Sequence, residues 1–164
     1  MVEPITNKKT LFGFVAGLII GALSLFLVLV NQAPKLMIVE DESRYDFATT
    51  VTQFEKAVKE AGWSIPTVHD MQATLKGFGH KIDEVKIFEL CSSKYSAVIL
   101  AVDEGKLVSP MMPCRIAMYV KSDGKTYIAR MNSALVAKLY GGIIDEVMEK
   151  AYVETEAILQ PLLK

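Results

Sequence analysis

The sequence predicts an α+β domain preceded by one transmembrane helix. The domain is an antiparallel sheet with helices packed on one face, in β-α-β4-α order. Three observations lead there. Leu11–Val30, LFGFVAGLIIGALSLFLVLV, is an unbroken apolar run in which Ser24 is the only polar side chain. Ser122-Asp123-Gly124 is a sharp hairpin signal between two segments of alternating character. Stretches with helical apolar spacing stand before and after the strand-like ones.

An α-helix of about 20 residues spans about 30 Å, the thickness of a bilayer hydrocarbon core. The rival reading, a cleaved signal peptide, has an apolar core of about 7–15 residues ending at a small-residue cleavage site. Here the run is longer, and the small residue nearest its end, Ala33, is followed at once by Pro34. An uncleaved anchor is therefore expected: a cytoplasmic tail at 1–10, the span at 11–30, a linker at 31–35 and the domain at 36–164. Lys8 and Lys9 precede the run, whereas Lys35 and then the acidic Glu40, Asp41 and Glu42 follow it. Positive charge is retained inside, so the domain is expected outside the cytoplasm, in a periplasm where the cell has one. Gly13, Gly17 and Gly21 recur every fourth residue and line one stripe of the helix. Such a stripe lets a second transmembrane backbone approach closely, pointing to a second copy or a subunit of a larger membrane complex.

Beyond the span, Leu36–Val39 reads as a short strand followed by an acidic turn. Phe47, Val51, Phe54, Val58 and Ala61 recur at helical spacing, with Asp46 as N-cap and Gly62 as stop. Ser64–His69 reads as a strand, placed at an edge by Pro66. Asp70 caps a short helix through Leu75, broken by Gly77 and Gly79. Glu84–Cys91 is a strand with apolar residues on both faces, and Phe88, Leu90, Tyr119 and Ile128 are expected to lend apolar area to the sheet face away from the core. Lys94–Val102 reads as helix and Gly105–Pro113 as loop. The hairpin strands are Cys114–Lys121 and Lys125–Asn132, the first turning Cys114, Ile116, Met118 and Val120 to the core. Ser133–Leu159 closes the chain as helix, broken at Gly141-Gly142.

About 130 residues follow the span, enough for one domain with a core. The formal net charge is −1 and the lysines are scattered, so no basic surface marks a nucleic-acid partner.

The segments Gly62–Leu75 (GWSIPTVHDMQATL), Ile87–Leu100 (IFELCSSKYSAVIL), Ser109–Asn132 (SPMMPCRIAMYVKSDGKTYIARMN) and Gly141–Met148 (GGIIDEVM) resemble the family called domain of unknown function 302. Pro113-Cys114-Arg115 and Cys91 are the most specific parts of the likeness. The resemblance implies a single copy of the TATA-binding-protein-like arrangement, often dimeric, and implies no agreed activity. It does not imply DNA binding, because a fold does not carry a function with it. Many members have Asn-Pro after the first cysteine, where this chain has Ser92-Ser93.

Cys91 and Cys114 are the two cysteines of the chain. One closes a strand and the other opens the next, so antiparallel pairing brings them near each other. Three readings stand together. A structural disulfide in an oxidising compartment would close a loop of roughly 24 residues, a stabilisation of about 3 kcal/mol in the chain-entropy model. Two small thiols that only pack are the second, and a redox or ligand site is the third. Met111 and Met112 stand beside Cys114 in Pro-Met-Met-Pro-Cys, a soft-sulfur cluster suited to Cu(I) but more often apolar filler. His69 and His80 lack zinc-site spacing, so no metal and no cofactor is expected. His69-Asp70 is a candidate acid–base pair, yet it should lie toward the far end of the sheet from both cysteines. Arg115 and Arg130 are expected together on the outer sheet face, where paired guanidinium groups can hold an anion but more often form a solvated cationic surface. No phosphate loop, nucleophile elbow or paired-carboxylate signature is present. The leading expectation is a non-enzymatic, membrane-anchored binding or accessory protein that self-associates or joins a membrane complex. The alternative is a thiol-based redox, small-ligand or metal-binding protein using Cys91 and Cys114.

Overall fold

The structure, a computed structural model, describes residues 8–164, with side chains from Leu11 onward. The expected tail at 1–10 therefore lies for the most part outside the described residues. The chain divides into a first unit ending at Leu36 and a second running from Met37 to Lys164.

The first unit is one helix, α1, Lys8–Met37. The linker expected at 31–35 is corrected: those residues continue the helix, Pro34 included. A proline removes one backbone bond and crowds one carbonyl. Pro34 does so only in the last turn, so the helix persists to Met37. Leu11–Met37 is long and apolar enough to cross a membrane, a property it shares with a signal sequence.

The second unit is α+β, built on a five-stranded antiparallel sheet in the order β1-β5-β4-β3-β2. Strand β1 is Ile38–Glu42, so the acidic residues expected in a turn lie in the strand. As an edge strand it can carry charge, and each carboxylate has a cation: Lys121 for Glu40, Arg130 for Asp41, Lys125 and Lys164 for Glu42. Helix α2, Phe47–Glu60, starts where the Asp46 carboxylate accepts the Thr49 N–H at 2.8 Å. Strand β2, Ser64–Asp70, occupies the other edge, and its pairing with β3 slips between Ser64 and Thr67, around Pro66. Helix α3, Met71–Gly77, is capped by Asp70 through the Ala73 N–H.

Strand β3, Val85–Cys91, leads into helix α4, Ser93–Leu100. The expected loop after it contains a short helix, α5, Asp103–Lys106, and a 3₁₀ turn at Ser109–Met111. Gly105 packs so tightly here that a Cβ on it would lie 1.7 Å from the Ile99 carbonyl oxygen. Strands β4, Cys114–Val120, and β5, Thr126–Met131, form the expected hairpin. Its turn closes through the Gly124 N–H on the Lys121 carbonyl, with Gly124 at φ +75°, where a side chain would be strained. Helix α6, Ser133–Ala137, and helix α7, Gly142–Leu159, meet at the predicted glycine break.

Helices α2, α4 and α7 cover one face of the sheet. Phe54 of α2 meets Phe88 edge-on, with ring centroids 5.2 Å apart, and Leu90, Ile116, Met118, Ile128 and Leu159 complete the core. The expectation that Phe88, Leu90 and Ile128 would face outward is therefore corrected. Phe88 pairs directly with Ile116, Leu90 with Cys114 and Met118 with Ile128, and directly opposed residues share a face. Of the four, Tyr119 alone lies on the uncovered face. There it stacks on Tyr127 at 6.4 Å and donates to Glu40, while Val85 and Ile87 are half-buried on that side.

Phe88 is fully buried between α2 and the sheet centre. Phe88→Ala is expected to lower the unfolding free energy by about 3–5 kcal/mol, measured by denaturant unfolding. A change below 1 kcal/mol would show that the ring is not the core keystone described.

Candidate functional site

Five of the sequence-predicted site residues meet at one place. Met111, Met112, Cys114 and Arg130 border a cavity of about 160 Å³ between the sheet and helices α4 and α7, and the fifth, Arg115, touches its edge while its side chain turns to the other sheet face. Its deeper wall is apolar: Trp63, Leu90, Ile99, Ile116, Val147, Met148 and Ala151. The Pro-Met-Met-Pro loop lines one side, and Met131 and Ser133 line the end where β5 passes into α6.

Several polar side chains at and beside the cavity are engaged with protein partners. Arg130, only 5% exposed, projects to the helix-covered side and holds Glu156 of α7 in a fork, Nε to Oε1 at 2.8 Å and Nη2 to Oε2 at 2.6 Å. Its Nη1 reaches Asp41 of β1. Burial works against its charge, but Glu156 and Asp41 outweigh it and the guanidinium pKa is raised. Trp63 Nε1 and the Tyr95 hydroxyl both donate to Glu154 of α7, at 3.1 and 2.6 Å. Lys94 shares that carboxylate, and with Tyr95 and Trp63 it keeps the Glu154 pKa low. The Thr155 hydroxyl donates to the Ala151 carbonyl at 2.9 Å. Cys91 Sγ lies 3.5 Å from Ser96 Oγ.

The expected pairing of Arg115 with Arg130 is corrected. They point to opposite faces because one stands an odd number of places from the core residue Ile116, while the other is its cross-strand partner. The Arg115 guanidinium turns outward to Glu89 at 3.1 Å, and His69 Nε2 meets the same carboxylate oxygen at 3.1 Å. These bonds, His69 first, hold Glu89 below the usual carboxylate range. His69 thus belongs to an ion-paired group on the uncovered face and takes no part in the cavity. Asp70 is occupied as the α3 cap.

Antiparallel pairing does bring the cysteines to one sheet end, with Leu90 opposite Cys114 and Cys91 one residue beyond. Both are free thiols. Burial pushes the Cys114 thiol above its ordinary value, and the charge of nearby Cys91 adds to the shift. A buried thiol held in its protonated form is a poor nucleophile and metal ligand. Among the described residues, no three His, Cys, Asp or Glu side chains gather as a metal set.

Sequence reasoning did not find the α7 side of the site, Val147, Met148, Ala151 and Thr155, nor Trp63 as a wall residue. Their helical spacing marks them as buried, but nothing local says that they border a void.

The profile of the family described as "Domain of unknown function DUF302" matches residues 39–162. A crystal structure described as an uncharacterized conserved protein DUF302 from Bacillus stearothermophilus is 18% identical in sequence. It covers 77% of this chain and 98% of its own, with a TM-score of 0.69. That likeness concerns the fold. No curated protein matches the chain.

The buried thiol carries its own test. Iodoacetamide at pH 8 is expected to leave Cys114 unmodified until denaturant is added; rapid native labelling would return the redox reading to the front. The folded state also holds the Cys114 proton above the pH at which an unfolded thiol, near pKa 8.5, releases it. Stability is thus expected to fall as pH rises past about 8.5, less steeply in Cys114→Ala. Equal slopes in the two proteins would show that the shift is absent.

Proposed function

The chain belongs to the family described as Domain of unknown function DUF302, and on that premise we propose that it is a membrane-anchored, non-enzymatic binding protein for a small apolar molecule. The observation that carries this reading is the cavity. It is apolar in its depth, and the one charged side chain facing it, Arg130, is already paired with Asp41 and Glu156, so a charged ligand would find little to bind. Apolar pockets with few free polar groups favour ligands that gain by leaving water. An apolar cavity of about 150 Å³ holds a molecule the size of benzene. The alternative thiol-based reading is weaker, because burial disfavours the Cys114 thiolate that such chemistry needs, although the two thiols share one sheet end.

The anchor is α1. Its apolar length fits a bilayer, and the run is longer than a signal core. Lys8 and Lys9 before it favour an extracytoplasmic domain. Gly13, Gly17 and Gly21 fall on one stripe of the helix with no side chains, which supports pairing with a second copy or with a helix of a membrane complex.

Ligand binding is read by Trp63, the one tryptophan, which lines the cavity. Benzene titrated into the detergent-solubilised protein is expected to change Trp63 emission saturably, and Ser96→Phe, which fills the cavity, to abolish the response. A response that is absent, or unaltered by Ser96→Phe, refutes the cavity as the ligand site. Topology and assembly are tested on cells and membranes. Protease added to spheroplasts should digest the domain, and protection until lysis would reverse the orientation. Blue-native electrophoresis after gentle extraction should show a species larger than the monomer that Gly17→Leu diminishes. A lone monomer in both proteins would refute the helix pairing.

A further inference from the structure

The antiparallel register gathers five strand termini at one end of the sheet. Ile38 stands opposite Met131, Leu90 opposite Cys114 and Ser64 opposite Cys91. The same end holds the first residue of the domain, since the Asn132 N–H donates to the Met37 carbonyl at 2.8 Å. Immediately after Asn132 come α6 and the turn into α7. From Met131 to Ile144 the sequence, MNSALVAKLYGGII, has no acidic residue, and Lys138 is its one charge. Yet its large apolar side chains are water-exposed: Leu139 by 84%, Tyr140 by 47%, Met131 by 41% and Leu135 by 39%. Leucines with a tyrosine and a lysine are the side chains that settle at a membrane–water interface.

Chain length tethers that end to the expected span: seven residues, 31–37, lie between Val30 and the first residue of β1, a reach of at most about 25 Å even when fully extended. The cavity reaches the same end, where Met131 and Ser133 form one wall and Met111, Met112 and Cys114 another.

We propose that this end of the domain seats on the bilayer through Met131, Leu135, Leu139 and Tyr140, and that the cavity takes the end of a lipid acyl chain directly from the membrane. The inference rests on the small-ligand reading and names its ligand class and source. The cavity volume suits the terminal carbons of a chain, not a whole lipid, so the headgroup stays in the interface near Lys138.

The full chain is reconstituted in vesicles of phosphatidylcholine brominated near the acyl-chain ends, and Trp63 emission is compared with that in unbrominated vesicles. Emission is expected to be quenched, and Ser96→Phe to restore it. The double variant Leu139→Glu, Tyr140→Glu changes only exposed side chains. It should reduce quenching in vesicles while leaving intact the quenching by a brominated fatty acid added in detergent. Equal emission in the two vesicle types overturns the proposal. If the fatty acid quenches and the brominated vesicles do not, the chain binds but not from the bilayer, and the proposal again falls. Quenching that the double variant leaves unchanged refutes the seating surface. Benzene binding without lipid quenching leaves the small-ligand reading standing and removes this one, whereas loss of both removes both.

Discussion

The Arg130 cluster ties the sheet to helix α7 beside the cavity. Its guanidinium lies under the sheet between Asp41 on edge strand β1 and Glu156 on helix α7. Asp41 and Glu156 stay partly exposed, but burying a guanidinium is costly unless its geometry satisfies it. The planar fork on Glu156 does so and fixes the height of α7 above β5. Glu154, two residues earlier, draws Trp63, Lys94 and Tyr95 toward the same helix. Helix α7 is thus positioned by directional bonds at its C-terminal half, leaving Val147, Met148 and Ala151 to border open space instead of filling it. Dispersion contacts alone would favour collapse of such a gap.

Much of the fold was legible because its signals are local. Asp46, Asp70 and the Ser122–Gly124 turn each act within a few residues, and each does what its chemistry predicts. The face assignment of β3 was not legible. Val85, Ile87, Phe88 and Leu90 put apolar side chains on both alternating sets, so period-two patterning gives no phase, and the pairing with β4 decides it. Arg130 was misplaced for a related reason. A charged residue on a strand reads as outward-facing until Asp41 and Glu156, 89 and 26 positions away, are seen to receive it. The candidate site was half legible: the Pro-Met-Met-Pro-Cys run stands out by composition, while the α7 wall looks like any buried helix face.

The two sheet faces differ in kind. The covered face is apolar apart from the Arg130 cluster. The open face carries stacked tyrosines and carboxylates that are already matched, Glu40 with Lys121, Glu42 with Lys125 and Lys164, Glu89 with Arg115 and His69. Exposed pairs of this kind contribute little to stability and are screened by salt. Their effect is to leave no block of unmatched charge on that face.

Gly105 sets which parts of the cavity wall can vary. Because its missing side chain lets α5 press on the Ile99 carbonyl, any larger residue there must reroute the corner from which the Met111–Met112 loop departs. The methionines themselves are unbranched and pliable, and they can be exchanged for other apolar residues at small cost. Changes at 111, 112 and 148 would therefore reshape the cavity at small cost. Position 105 would stay fixed as the pivot that keeps those changes local.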